Sequence, residues 1–358
     1  VVGGVPIDAL GWRLIFMISL PFVGIALLLG TLFIPEEQGP RDKKPFDWWG
    51  YGLLCVALLG LMSAIANGHR EGWSSDIVVT YWLVGVGGTV LFIWSQHSRA
   101  NRLLDFSLFT DPRFAAAIAL AMVFGLGNFA IAYALPVFGQ LVLNLTPSAA
   151  GLLLLPAGIA SSIATIMAGR MADRVSPLAL IFFGISLFLI GLFALSGGDA
   201  NTPILHLFVY AVLCRLGHSF MGPSITATAM RALPPDAINR ASGTINFFRQ
   251  MGGAFSINVL VAAVEMRTSM HNHALGVTQH DANRSTGEFL AAARELLAPS
   301  GLPDALANQM ALKFLQQSVA AQSDALAWRD GFVLLAAVFI FALLPAWLLS
   351  RAQRARAY

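Results

Sequence analysis

The sequence predicts an all-α, polytopic helical membrane protein, and three observations predict it. Only 11% of the 358 residues are charged while 57% are hydrophobic, whereas soluble domains carry about 25% charged residues. The uncharged runs are long: no Asp, Glu, Lys or Arg stands between Arg113 and Arg170, and none from Val175 to Gly198. A bilayer core about 30 Å thick asks for roughly 20 apolar residues per helix, because lipid offers no partner to backbone polar groups. Finally, no segment alternates as a membrane strand would. The mean hydropathy of +0.70 agrees.

Uncharged runs, taken in order, predict nine spans: residues 14–34, 48–67, 77–96, 114–135, 149–169, 177–196, 203–230, 241–264 and 331–350. The fourth and fifth lie within one charge-free stretch, and Asn144, Thr146, Pro147 and Ser148 divide it as a turn. A charged turn, Gly169-Arg170-Met171-Ala172-Asp173-Arg174, divides the fifth from the sixth. Charges crowded between two apolar helices belong at the water boundary. Cys55 and Cys214 fall inside spans and read as small core residues, with no disulfide expected.

Lys and Arg in the short loops set the orientation, since positive charge is retained on the cytoplasmic side. One set of loops and tails holds Arg41, Lys43, Lys44, Arg99, Arg102, Arg113, Arg170, Arg174, Arg231, Arg240, Arg351, Arg354 and Arg356; the opposite short loops hold Arg13, Arg70 and Arg329. The first set is expected inside. The net charge of +3 comes from basic residues scattered singly, which speaks against a nucleic-acid partner and for the lipid bilayer. The chain begins at Val1 without a signal-peptide pattern, and an odd number of spans puts Val1 outside and Tyr358 inside. Both features lead to the expectation of an N-terminally truncated fragment. The stretch 265–327 is expected as a long, polar, Ala-rich external loop. Within it, residues 304–323 place Leu306, Met310 and Phe314 on one face, as in a short amphipathic helix resting on the membrane or the bundle, or contacting a partner protein.

Three residues carry charge within spans. Arg215 stands about twelve residues into the seventh, where an arginine costs roughly 2.5 to 3.5 kcal/mol and must face a cavity or a partner. His218 follows on the same face, with an unperturbed pKa near 6.5 that suits proton response. A water-lined site for an anionic group or proton, and a structural arginine satisfied by neighbouring carbonyls, both remain open. Arg249 can snorkel towards the cytoplasm from the eighth span. Asn128, Tyr133 and Gln140 on the fourth span, with Asn246, Phe247 and Phe248 on the eighth, are candidate cavity residues, since drug pockets are mostly apolar with a few polar anchors. Packing is the other reading for each. His271, His273 and His280-Asp281 lack the spacing of a closed metal site, and no nucleophile elbow, phosphate loop or metalloprotease helix occurs. No metal, cofactor or enzymatic activity is expected.

Several segments in sequence order resemble the fourteen-helix drug/proton antiporters of the major facilitator superfamily, the EmrB/QacA type. They are Val1-Val2-Gly3-Gly4, Gly11-Trp12-Arg13-Leu14-Ile15-Phe16, Leu135-Pro136, Ala150-Gly151-Leu152 through Pro156, Gly169-Arg170-x-x-Asp173-Arg174, Leu233-Pro234-Pro235, and Ala241-Ser242-Gly243 through Asn246-Phe247-Phe248-Arg249-Gln250-Met251-Gly252-Gly253. The resemblance implies a major facilitator fold fragment. Residues 1–34 would hold the last helix of the N-terminal bundle, 35–112 two linker helices and a cytoplasmic connection, and 113–358 the C-terminal six-helix bundle.

It implies proton-coupled efflux of amphipathic compounds by alternating access, and admits a periplasmic adaptor protein as partner of a tripartite pump. Under it Gly169 lets two helices approach and Arg170, Asp173 and Arg174 form a cytoplasmic gate; Arg249 reads as a structural clamp on that gate, with substrate contact as the other reading. A solvated topogenic turn at 169–174 is compatible with gating. The export of one metabolite, and a non-transporting receptor or scaffold, are the competing functions.

Overall fold

The computed structural model describes residues 13–33, 46–98, 102–199, 201–233, 237–280, 283–300 and 303–354. These form eleven α-helices: α1 (Arg13–Phe33), α2 (Trp48–Glu71), α3 (Asp76–Ser98), α4 (Pro112–Leu141), α5 (Pro147–Leu152), α6 (Leu154–Ala172), α7 (Pro177–Ser196), α8 (Ile204–Arg231), α9 (Ile238–Thr278), α10 (Arg284–Leu297) and α11 (Asp304–Arg354). A 3-10 turn, Phe106–Thr110, precedes α4, and no strand occurs among the described residues. Eight helical segments are long and apolar enough to cross a membrane, with α5 and α6 counted as one. The first expected span coincides with α1, whose apolar part Ser19–Phe33 is shorter than a span. The large apolar side chains described on α1, such as Leu20, Phe22 and Phe33, are exposed.

Helix ends follow local chemistry. Asp111 caps α4 by accepting from the Arg113 N–H, with Pro112 just inside the helix, where its missing N–H is not needed. The expected turn at Asn144 is a left-handed residue with φ 51°, after which Thr146 caps α5. Asp47 caps α2 and also accepts 2.8 Å from the Gln96 amide at the end of α3. Gln96 in turn accepts from the Leu103 and Leu104 N–H groups, so one buried amide joins α2, α3 and the following connection.

Helices α2 and α3 pack as a pair, with α2 also against α9. The central helix α4 touches α8, α9 and α11, while α7 packs on α8 and α11, and α6 on α8. Glycines set these approaches. A Cβ on Gly125 would overlap the Arg249 carbonyl oxygen, one on Gly252 the Met122 carbonyl oxygen, and one on Gly217 the Phe188 backbone. The Gly252-Gly253 pair therefore seats α9 directly on α4. Arg102, Arg113, Arg231 and Arg240 gather at one end of the bundle, called here the basic end.

The expected external loop is largely helix. At about 1.5 Å per residue, the 41 residues of α9 extend roughly 60 Å and the 51 of α11 roughly 75 Å, well beyond the bilayer core. Residues 304–323 thus do not form a separate helix lying on the membrane; they are the first turns of the final spanning helix. Polar residues tie the two extensions together. Thr268 donates to Asp324 at 3.1 Å, the His271 Nε2–H to Asp330 at 2.9 Å, and Arg70 of α2 pairs with Glu265 at 2.5 Å. Val1–Gly4, Gly11-Trp12, Pro234-Pro235, Asp281 and several basic residues, Arg41, Lys43, Lys44, Arg99 and Arg356, lie outside the described residues.

Candidate functional site

The polar centre of the bundle lies where α8 meets α4. The Arg215 guanidinium donates from Nη1 to the Asn128 side-chain oxygen of α4 at 2.7 Å. One helical turn on, His218 stacks on the Phe124 ring with centroids 3.7 Å apart. Its Nε2 lies 3.0 Å from the Phe124 carbonyl oxygen. A carbonyl only accepts, so Nε2 carries the proton in this contact. Ser219 donates to the Arg215 carbonyl at 2.8 Å and meets the Ser161 hydroxyl of α6 at 2.8 Å. Three helices converge here through neutral partners, and among the described residues no carboxylate pairs with Arg215. An arginine held inside an apolar bundle by an amide has no carboxylate among the described residues to cancel its field, and is equipped to meet an anionic group or to repel a cation or proton. Sequence reasoning picked Arg215, His218 and Asn128 but missed Ser161 and Ser219. Their signal was weak, because a serine in a spanning helix usually bonds its own backbone.

The other expected residues divide into separate places. Tyr133 is half-buried and packs against the core, while Gln140 is exposed near the far end of α4, donating to the Pro136 carbonyl. Asn246 is exposed and accepts 2.5 Å from Arg249, one turn along the same helix. Phe248 meets Phe109 at 5.6 Å, and Phe247 lines a cavity of about 660 Å³ between α2 and α9. These contacts do not bring the six residues together.

The turn at 169–174 stands apart from both groups. Gly169 has no atom within 4 Å of where a Cβ would stand, so the close approach of two helices expected there is absent among the described residues. Close approach belongs instead to Gly125, Gly252 and Gly217. Helix α6 ends at Ala172, and both the Arg174 and Val175 N–H groups bond the Met171 carbonyl, closing a tight turn before α7. Arg170, Asp173 and Arg174 are exposed, and no ion pair joins them to one another or to other described residues.

Charge pairs do form at the basic end. Arg240, near the start of α9, meets Asp105 at 2.7 Å. Arg113 meets Asp111 at 2.6 Å and reaches the Ala232 carbonyl beyond α8. Burial pushes the Asp105 carboxyl up, but the Ser107 hydrogen bonds with the charges of Arg240 and Arg102 outweigh it and hold it below the usual range. The Arg113 hydrogen bond does the same for Asp111 against its partial burial. Both carboxylates remain charged at neutral pH.

The family model for the Major Facilitator Superfamily matches residues 1–257. A Multidrug resistance protein Stp of Mycobacterium tuberculosis is 30% identical over 274 residues, which is 76% of this chain and 50% of that protein. A Lincomycin resistance protein LmrB of Listeria innocua is 28% identical over 260 residues, 73% of this chain and 55% of that protein. A Multidrug resistance protein B homolog of Mycobacterium tuberculosis is 29% identical along 99% of this chain and 64% of its own length. The chain spans about half the length of the first of these relatives.

Proposed function

The chain belongs to the major facilitator superfamily, and from that premise we propose that it forms part of a proton-coupled exporter of amphipathic compounds working by alternating access. It is a multi-pass cell-membrane protein. The observation that carries the proposal is Arg215, a charge within a spanning helix whose hydrogen-bond partner, Asn128, is neutral. A purely structural arginine gains most from a carboxylate; one left with an amide keeps its field for a passing solute or proton. Three relatives whose names speak of multidrug or lincomycin resistance support drugs as the cargo.

In this reading the basic end faces the cytoplasm, as the Lys and Arg distribution requires. Exposed Arg170, Asp173 and Arg174 serve as the gate, free to pair with another part of the full-length protein. Arg249 braces α9 through Asn246. His218 straps α8 to α4 and moves with Arg215 when the bundle rearranges. The helical extensions of α9 and α11, with α10, present the surface on which a periplasmic adaptor would seat.

The test uses everted vesicles from an efflux-deficient host expressing the full-length gene. Respiration acidifies the lumen, and adding ethidium or another lipophilic cation releases protons, seen as recovery of a quenched acridine signal. No recovery with any of a broad panel of lipophilic drugs, in vesicles that contain the protein, would remove proton-coupled drug efflux.

A further inference from the structure

At the basic end two cavities stand on either side of Arg240. One, of about 660 Å³ between α2 and α9, has an apolar wall of Leu54, Cys55, Leu58 and Phe247. Arg102, Asp105 and Arg240 also line it. The other, of about 610 Å³, is polar, with Arg113, Arg231, Arg240, Ser107 and Thr110 around it and Asp111 as its one carboxylate. Across both, four arginines face two carboxylates, an excess of two positive charges among the described residues. Arg113 and Arg240 have their aspartates. Arg231 is exposed and has no ion-pair partner among the described residues.

An apolar chamber and a basic chamber sharing one arginine fit a molecule that is apolar at one end and anionic at the other. Depth identifies its source. Phe46, Trp48 and Tyr51 form an aromatic cluster at the start of α2, with Phe46 and Trp48 4.9 Å apart, and Trp48 and Trp49 are 73% and 71% exposed. Aromatic residues so placed mark the membrane–water interface, and the cavities lie at that level. Basic pockets between spanning helices at this depth suit the head groups of anionic lipids, which are abundant in the cytoplasmic leaflet.

We propose that this pair of cavities binds one anionic phospholipid, with an acyl chain between α2 and α9 and its phosphate on Arg231 and Arg240. The lipid joins the α2–α3 pair to the remaining bundle and is separate from the Arg215 centre.

Native mass spectrometry of the purified chain tests this, titrating phosphatidylglycerol or phosphatidylcholine of identical acyl chains. One phosphatidylglycerol is retained in preference to phosphatidylcholine, and Arg231→Gln lowers that preference about fivefold, the scale of one arginine near an anionic surface. Leu58→Trp, which fills the apolar chamber, lowers retention of either lipid while the arginines stay in place. Equal retention of the two lipids, a preference unchanged in Arg231→Gln, or retention unchanged in Leu58→Trp, overturns the assignment. So does one-for-one displacement of phosphatidylglycerol by ethidium, which would make the chamber a substrate site. Occupancy is read without flux, so failure here leaves the transport proposal standing, and failure of transport leaves this one standing.

Discussion

The interior of the bundle and its basic end treat the same residue types in opposite ways. Inside, Arg215 is satisfied by an amide, Asn128, and by no carboxylate among the described residues. At the end, Arg113 and Arg240 each hold an aspartate within 2.7 Å. Glycines divide likewise: Gly125 and Gly252 are places where two backbones touch, whereas a Cβ on Gly169 would meet no atom of the described residues within 4 Å. The physical reason is the medium. In lipid a bare glycine lets helices reach dispersion contact, while an arginine is tolerated only where it meets a partner or a cavity. Near water, charge pairs form readily and contribute little.

This contrast can be broken by substitution. Gly125→Leu forces side-chain atoms into the Arg249 carbonyl, so α9 must leave α4. Overpacking typically costs 1 to 3 kcal/mol, about one to two factors of ten in folding equilibrium, and the chain should elute as aggregate in detergent chromatography. A monodisperse Gly125→Leu protein with unchanged thermal stability would show that the glycine contact does not hold the two helices. Next in size, Asn128→Leu leaves the Arg215 guanidinium without its partner, a loss of about 1 to 3 kcal/mol that should appear as a lowered melting temperature.

At the basic end the effects shrink. Asp105→Asn removes one charge of a pair whose Arg240 side chain is 58% exposed, so the loss should stay below about 1 kcal/mol. The pH dependence has a definite sign. Since the folded Asp105 carboxyl lies below the unfolded value near 3.9, its contribution is complete above that value and is lost only as pH falls through the lower folded one. Stability should therefore show no step from Asp105 between pH 5 and 8, and a step there that disappears in Asp105→Asn would contradict the assigned pairing. Smallest of all, Gly169→Ala adds a methyl to open space within a helix. Its melting temperature should hold or rise slightly, by at most about 1 kcal/mol of helix propensity.

The all-helical membrane class was legible because lipid forbids charge, so uncharged runs report spans directly. The turn at Asn144 and Thr146 was legible for a local reason, a left-handed residue followed by a cap and a proline. The lengths of α9 and α11 were not. Asp324, Arg329 and Asp330 end an apolar run and therefore read as loop, yet Asp324 and Asp330 are the acceptors that bind α11 to Thr268 and His271 of α9. Hydropathy marks where lipid stops and is silent about where helix stops. Within the candidate site, Arg215 and His218 stood out by charge alone. Their partners Asn128 and the Phe124 carbonyl lie on another helix about 90 residues earlier, and only packing brings them there. A glycine's contact depends on the neighbouring helix, and the glycine's own sequence does not reveal it.

The central claim is that Arg215 keeps its charge inside the bundle for transport and not for folding. The most direct measurement is drug-induced proton release in everted vesicles carrying equal amounts of inserted wild-type, Arg215→Lys and Arg215→Ala full-length protein. The account predicts normal insertion for all three, with release lost in Arg215→Ala and partly retained in Arg215→Lys, where the charge survives without the guanidinium geometry. Release at the wild-type rate from Arg215→Ala would contradict it and reduce Arg215 to a hydrogen-bonding partner of Asn128.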